Sequence, residues 1–258
     1  MEMDAVRRLN PNQYSRLGDS LLRELGPAGL EWSRDLEAPR DRVRVYCTDG
    51  LRHFMLIVRE TNVLIATDSP GILDGLLRKL DPKKDYAFRC QEWMAPAVLG
   101  RFPPKRPGHA GVVLLTFATG EDEFSGFSDA RYAGRVLGED DADEVMASSG
   151  PRWGPEFVRE RIRKGEFRGI FEGGHLVSWL GTVWESDRAC ELGFAFTKEE
   201  HRGQGLMKVL ASAITEEVLR RRKTPLLHTV EGNLPAKRVA ESLGFRVKGR
   251  EWAYDYSP

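Results

Sequence analysis

The 258-residue sequence lacks the features that mark secreted, disulfide-stapled or membrane-spanning proteins. It has three cysteines, Cys47, Cys90 and Cys190, an odd number spaced too widely for a disulfide framework or a metal-ligand cluster. No apolar run approaches the ~20 residues that a membrane helix needs, and no apolar stretch of signal-peptide length lies near the N-terminus. We therefore expect a soluble cytoplasmic protein in a reducing compartment, without a bound metal.

An excess of charge of either sign is also missing. Lys and Arg together number 39, and so do Asp and Glu, which gives a formal net charge of zero. A balanced charge gives no electrostatic reason for nucleic acid or an anionic membrane to be the main partner. The hydrophobic share of 41% and the length are sufficient for a buried core and for one large or two small domains.

The pattern along the chain predicts a mixed α/β protein with two domains. In the first half, short apolar runs alternate with a helix that Ser69 would cap and that Pro70 would begin. The polar, glycine-containing stretch at residues 119–130 predicts a boundary. This gives an N-terminal α/β domain at residues 1–125, without a chemical motif, and a C-terminal domain at residues 130–258.

The second half contains a strand, a glycine-rich loop and a long amphipathic helix in direct succession. The stretch from Glu191 to Met207 ends its strand at Thr197, and Arg202, Gly203 and Gly205 lie in the loop that follows. A helix start presents unpaired N–H groups and the positive end of the helix dipole, and glycines allow close approach of a ligand. The segment is therefore suited to bind phosphate, although a tight turn with a surface arginine would have the same sequence.

Downstream residues favour the ligand-binding interpretation. Asn233-Leu-Pro-Ala236 and Leu243-Gly244-Phe245 follow Arg202-x-x-Gly205 at the separation typical of one family. In these motifs residues 130–258 resemble the GNAT superfamily of acyl-coenzyme A-dependent N-acyltransferases, although Met207 stands where that family has a small residue. The resemblance implies a GNAT-like fold and transfer of an acetyl group from acetyl-CoA to a primary amine. Residues 1–125 could then be a diverged GNAT-like domain that shapes the acceptor site.

The resemblance also implies which residues contact the cofactor. The strand contacts would be Ala195, Phe196 and Thr197. The loop contacts would be Arg202, Gly203, Gln204, Gly205, Leu206 and Met207. Asn233 would contact the pantetheine arm, and its alternative role is to cap the helix that starts at Leu234.

Two residues are candidate catalytic bases. Strand alternation predicts one face that carries four residues: Glu191, Gly193, Ala195 and Thr197. A partly buried carboxylate on that face could accept the proton of the amine, directly or through water. His228 is the second candidate because an imidazole titrates near neutral pH. Each also has a structural alternative: an ion-paired Glu191 and a histidine packed in the sheet.

The general acid has no obvious candidate. Ala240 stands where many members of the superfamily have a tyrosine, so water or another group would protonate the leaving thiolate; Tyr254 and Tyr256 come late in the chain and are further candidates. Besides an enzyme acting on a small-molecule or peptide amine, a catalytically degenerate acyl-CoA-binding or regulatory module and an interaction scaffold remain open. Formation of a homodimer also remains open at this point.

Overall fold

The computed structural model describes residues 6–14, 17, 21, 29–30, 32, 36, 42–48, 51–105, 111–149 and 154–258. The predicted helix at residues 13–25 lies mostly outside these ranges, although Leu17 and Leu21 are helical. The chain forms two compact units: residues 1–116, 230–232 and 247–258, and residues 117–229 and 233–246. No helix in the described part of the chain is both long and apolar enough to cross a membrane.

The first unit is a sheet whose strands run in the order β1-β2-β3-β4-β5-β12-β6. Its strands are β1 (Arg7–Arg8), β2 (Val43–Cys47), β3 (Phe54–Val58), β4 (Asn62–Ala66), β5 (Tyr86–Cys90), most of β6 (Val112–Ala118) and most of β12 (Arg246–Tyr256). Two of its helices are α1 (Pro70–Leu77) and α2 (Ala95–Arg101). Neighbours from β1 to β4 are antiparallel, whereas β4 and β5 are parallel. Helix α1 connects this parallel pair.

The second unit has strands in the order β7-β8-β9-β10-β11. They are β7 (Arg135–Val136), β8 (Phe167–Glu172), β9 (His175–Glu185), β10 (Ala189–Thr197) and β11 (Thr224–Val230). Its helices are α3 (Ala142–Ser149), α4 (Pro155–Arg163), α5 (Leu206–Arg220) and α6 (Leu234–Ser242). Strands β10 and β11 are parallel and α5 connects them, while β7 to β10 are antiparallel.

The two units repeat one order of elements. Three antiparallel strands lead into a helix, a parallel strand and a second helix, as β2-β3-β4-α1-β5-α2 in one unit and β8-β9-β10-α5-β11-α6 in the other. The cap of the first copy's helix is as the sequence predicts, because the Ser69 hydroxyl accepts the N–H of Ile72 at 3.5 Å. The first half of the chain therefore has the topology of the second.

Residues 247–258 belong to the first unit, although they are the last part of the predicted C-terminal domain. Strand β12 pairs antiparallel with β5, with Trp252 opposite Cys90 and Tyr254 opposite Phe88. The alternating aromatic side chains of β12 enter a core that also includes Phe88 and Phe102. Burial of these large rings is the physical reason that the strand joins this sheet.

We predict that removing one of these rings destabilises the first unit. Trp252 is 5% exposed and stacks on Tyr254 at 5.3 Å between ring centroids. Trp252→Ala should cost ~3–5 kcal/mol and should speed amide hydrogen exchange in β5. Val247→Ala is the control, because Val247 lies on the same strand with 49% exposure. Equal exchange rates in the two variants would contradict the assignment of β12 to this core.

Candidate active site

Strand β10 is interrupted by a β-bulge just before the glycine-rich loop. Gly193 lies opposite Gly181 and Phe196 lies opposite Trp179, so three steps along β10 match two steps along β9. Phe194 within this stretch has a left-handed backbone, with φ of 56°. The bulge reverses the alternation of side chains, which places Gly193 and Phe196 on the same face.

The predicted simple alternation of residues 191–197 is therefore wrong beyond Gly193. Phe194 and Phe196 both pack against a core cluster that includes Phe167 and Trp179. Phe196 stacks on Trp179 with ring centroids 4.4 Å apart. Thr197 lies opposite Ser178, and their hydroxyl oxygens are 2.8 Å apart. Thr197 thus lies on the face opposite to Gly193, and the sequence contained no sign of this reversal.

The pairing of β10 with β11 stops short of the bulge. The register runs from Ala189 opposite Thr224 to Leu192 opposite Leu227. Among the described residues, no further pairs join the two strands beyond that point, although β10 continues to Thr197 and β11 to Val230. Strand β11 therefore does not pair with Ala195 to Thr197, the segment that the resemblance assigns to the pantetheine arm.

Glu191 and His228 meet where the paired part of these strands ends. Nδ1 of His228 lies 3.0 Å from Oε1 of Glu191. Their side chains are 10% and 11% exposed, respectively. When Nδ1 of His228 carries the proton, it donates to the Glu191 carboxylate, which orients the imidazole ring. The contact forms a carboxylate–imidazole pair that is largely shielded from water and suited to accept a proton.

Sequence reasoning selected both residues of this pair but not their contact. In the parallel register Glu191 lies opposite Leu226, and His228 follows two residues later on the same face. Knowing that β10 and β11 are adjacent and parallel would have brought them together. The missing information was the register, which short apolar strands do not specify by themselves.

The glycine-rich loop has the backbone conformation that its glycines allow. Gly203 and Gly205 have φ of 76° and 88°, a region that other residues rarely adopt. The guanidinium Nε of Arg202 donates to the carbonyl of Thr197 at 3.2 Å, which connects the loop to the end of β10. Helix α5 begins at Leu206, directly after Gly205.

The first turn of α5 has the donors that an anion needs. Gly205 is its N-cap and provides no side-chain hydrogen bond, so no side chain caps the first amides of Leu206 and Met207. The first unit differs at the matching helix. There Ser69 accepts the N–H of Ile72, Thr67 accepts the N–H of Ser69, and Pro70 has no N–H. A side chain thus caps the start of α1, whereas none caps the start of α5.

A segment at residues 124–132 lies against this loop. The N–H of Phe127 donates to the Ser212 hydroxyl at 2.7 Å. The hydroxyl of Tyr132 donates to Oε1 of Gln204 at 2.9 Å. A side chain at Gly205 would approach the Phe127 ring, with its Cβ 3.8 Å from the nearest ring carbon. The sequence predicts residues 119–130 only as a domain boundary, so the contact of this segment with the loop is not expected from the sequence.

A second anchor fixes the start of the loop. Nζ of Lys198 donates to Oε1 of Glu144 at 2.8 Å, and the other carboxylate oxygen accepts the N–H of Leu176 at 3.4 Å. The hydrogen bond from Lys198 is the main reason that the pKa of Glu144 is lowered. His201, three residues after Lys198, has its Nδ1 3.2 Å from a Glu172 carboxylate oxygen. The contacts of Lys198 and His201 therefore fix the first residues of the glycine-rich loop.

Several further candidates have structural contacts. The side chain of Asn233 accepts the N–H of Ala236 at 3.3 Å, so it caps α6 as the alternative prediction stated. Ala240 is 1% exposed in the core. Tyr254 and Tyr256 donate their hydroxyl hydrogens to the carbonyls of Phe102 and Pro82 within the first unit. Burial raises the pKa of Tyr254. Because both hydroxyl groups already donate to carbonyls of the first unit, neither tyrosine is favoured as the acid.

No metal site accompanies these residues. Within the described ranges, no group of three His, Cys, Asp or Glu side chains is arranged to hold a metal ion.

A run of four basic residues, 220–223, lies at the end of α5. It is partly paired with a carboxylate, because Arg221 and Lys223 both bind Glu185. Burial alone would raise the pKa of Glu185, but these two cations lower it below its usual value.

Comparisons with known proteins agree with this architecture. Residues 167–253 match the family model described as FR47-like protein, a GNAT-related family. Among solved structures, a Drosophila protein is 16% identical with a TM-score of 0.73, and the match covers 99% of both chains. A GCN5-related N-acetyltransferase from Sphaerobacter thermophilus is 14% identical with a TM-score of 0.67, covering 99% of this chain and 96% of the other. A comparison with curated proteins finds no match.

A third solved structure, a tandem GNAT protein from the clavulanic acid biosynthesis pathway, is 17% identical with a TM-score of 0.54. The match covers 98% of this chain and 99% of that protein. The chain therefore has a mixed α/β structure with the GNAT fold over nearly its whole length. Within it, residues 167–253 are similar to the FR47-like family. The resemblance predicted from the motifs is confirmed, and the fold similarity extends to the first unit.

We predict that the cysteines play no part as nucleophiles. Cys47, Cys90 and Cys190 are all buried, and burial is the main cause that raises the pKa of Cys90 and of Cys190 to about 12. At pH 8 only about one in 10⁴ of such thiols is ionised. Ellman's reagent should therefore react slowly with the native protein and count three thiols after unfolding. Ser125→Cys, at an exposed position, is the rapid-reacting control. A fast native thiol in the unmutated protein would refute this prediction.

Proposed function

We propose that the second unit transfers an acetyl group from acetyl-CoA to a primary amine of a small molecule or peptide. The observation that carries the proposal is the contact between Glu191 and His228, in which Glu191 lies on the strand that leads into an uncapped helix start. The Glu191–His228 pair would act on the amine, and the helix start would bind the cofactor. The pair provides a proton acceptor, and the helix start provides donors for the pyrophosphate of the cofactor.

The cofactor would bind along β10 and end at the loop. Its pyrophosphate would accept hydrogen bonds from the amides of residues 203–207, near the positive end of the α5 dipole. Its pantetheine arm would lie against the main chain of Ala195 to Thr197, beyond the last β10–β11 pair. The side chain of Met207 departs from the small residue of the superfamily, but its main-chain N–H remains a donor.

The reaction requires the neutral amine. The amine nitrogen attacks the thioester carbonyl carbon, the new C–N bond forms, and the C–S bond breaks as the thiolate leaves. The proton lost by the amine would pass to the Glu191–His228 pair, directly or through a water molecule. With Ala240 at the usual tyrosine position, we propose that water protonates the leaving thiolate, whose conjugate thiol is acidic enough for that route.

The second candidate function is binding of acyl-CoA without turnover. Ala240 and Met207 favour it, because both depart from the superfamily pattern. Release of free CoA in the presence of a panel of small-molecule and peptide amines separates the two. Turnover with any amine supports the enzyme. Tight acetyl-CoA binding without CoA release across the panel supports the binding module.

We predict one acetyl-CoA site per chain, and that Gly205→Glu abolishes it. The new side chain would force strain at φ of 88° and would add a negative charge beside the pyrophosphate. Helix α1, which corresponds to α5 in the first unit, is capped by Ser69, so it should not provide a second acetyl-CoA site. Calorimetry should give a stoichiometry near one, lost in Gly205→Glu. Gly100→Glu, where no atom lies within 4 Å of the added Cβ, is the control. Unchanged affinity in Gly205→Glu would exclude this loop as the site.

We predict that Glu191→Gln slows turnover by ~10²–10⁴-fold at pH 7 while leaving acetyl-CoA affinity nearly unchanged. Glutamine keeps the size and the hydrogen bond to His228 but cannot accept the proton. Higher pH should partly restore the rate, because more of the amine is then neutral in solution.

Glu160→Gln is the matched control, since that carboxylate binds Lys164 on the surface of α4. Wild-type turnover in Glu191→Gln would reject the role of Glu191 and leave His228 as the candidate base. Loss of folding would instead support a structural ion pair.

A further inference from the structure

A second β-bulge interrupts β9 beside Glu191. Glu191 lies opposite Trp184. The next residue on β10, Leu192, lies opposite Thr182, so one step along β10 matches two steps along β9 and Val183 is the extra residue. In a regular ladder Val183 would lie opposite Glu191. The bulge therefore places a tryptophan beside this carboxylate instead of a valine.

Gly193 provides the room that this bulge needs. A Cβ atom at position 193 would collide with Cγ2 of Val183. Val183 therefore packs over the main chain of Gly193, in the space that a side chain at that position would fill. Any larger residue at 193 would displace Val183, so the shape of the bulge, and with it the position of Trp184, depends on this glycine.

Glu191 has large apolar neighbours on both adjacent strands. Trp184 is its partner on β9 and Leu226 is its partner on β11. Both neighbours are buried, with exposures of 2% and 0%. Side chains directly opposite each other on adjacent strands lie on the same face, with Cβ atoms about 5 Å apart. The carboxylate thus lies between two apolar side chains, and its Oε1 contacts Nδ1 of His228 at 3.0 Å.

The two carboxylate oxygens of Glu191 have different surroundings. Oε1 contacts His228, whereas Oε2 has no hydrogen-bond partner in the part of the chain that the structure describes. The side chain keeps 11% exposure. A carboxylate held in this orientation keeps one oxygen on the imidazole and leaves the other for a proton donor from outside.

We infer that Trp184 is a positioning residue of the candidate active site, which holds the Glu191 carboxylate against His228 so that Oε2 faces the amine. The inference rests on the proposed function, since it requires Glu191 to accept the proton that the amine nitrogen loses as the C–N bond forms. Trp184 exchanges no proton in this step. It fixes the distance over which the proton moves, and a misplacement of about 1 Å can slow a reaction by ~10²-fold.

A double-mutant cycle tests this role, because two residues that act through the same step do not have additive effects. Trp184→Leu keeps an apolar side chain but removes the indole, and kcat at pH 7 should fall by about 10- to 100-fold. The KM for acetyl-CoA should stay within about twofold. In the Glu191→Gln background no carboxylate remains to be positioned, so adding Trp184→Leu should change kcat by less than about twofold.

Trp252→Leu is the matched control, since Trp252 is a similarly buried tryptophan in the core of the first unit. It should leave kcat unchanged in both backgrounds. Urea unfolding midpoints of every variant show which proteins are folded, so that rates are compared among folded proteins alone.

Gly193→Ala tests the same arrangement without changing the tryptophan. The added methyl group would collide with Val183 and distort the bulge, so kcat should fall about tenfold with little change in the KM for acetyl-CoA. Val183→Ala removes the colliding methyl group. Combined with Gly193→Ala, it should restore most of the lost turnover, which a loss caused by the extra methyl group alone would not predict.

Each contrary outcome has a distinct meaning. Additive effects of Trp184→Leu and Glu191→Gln, or a wild-type kcat in Trp184→Leu, would overturn the inference while the proposed function would stand. If Trp184→Leu does not fold, the Gly193→Ala series decides, and failure of Val183→Ala to restore turnover overturns the inference. Wild-type turnover in Glu191→Gln, or no release of CoA by the wild-type protein with any amine of the panel, would refute the proposed role of Glu191 and the inference with it.

Discussion

The bulge in β10 is the constraint on which the candidate site depends. Phe194 adopts a left-handed backbone that bulky residues avoid, at a cost of order 1–3 kcal/mol. Packing of Phe194 and Phe196 against the Phe167–Trp179 core offsets that cost. Because the bulge follows directly after Gly193, β10 turns its remaining residues away from the register of β11. Strand β10 thus carries the Glu191 carboxylate and, a few residues later, the main chain of Ala195 to Thr197 along which the cofactor would lie.

The elements that the sequence predicted well are those with local physical signals. Ser69 and Pro70 define a helix start by hydrogen bonding and by backbone geometry, and the structure has that start. The glycines after Thr197 predicted a loop before a long helix, and the structure has that loop, with Gly203 and Gly205 in the left-handed region. In each case the cause lies within a few neighbouring residues, so a single sequence is sufficient.

The features that the sequence did not predict depend on contacts between distant segments. The Glu191–His228 contact depends on the parallel register of β10 and β11, because the two residues are 37 positions apart in the sequence. The reversal of faces after Gly193 depends on the pairing of β10 with β9, which moves Thr197 to the face opposite to Gly193. The closeness of Phe127 to Lys208 joins a polar stretch to a helix 81 residues later. None of these has a local sequence signal.

The placement of β12 has a consequence for how the chain acquires its structure during synthesis. Strand β5 needs β12 as a neighbour, yet β12 is translated more than a hundred residues after β6. The first half to leave the ribosome must therefore wait with an open strand edge and an exposed aromatic-lined core until residues 247–256 arrive. During that interval it is the part of the chain most in need of a chaperone. A pause or truncation late in translation would thus damage the unit that was made first.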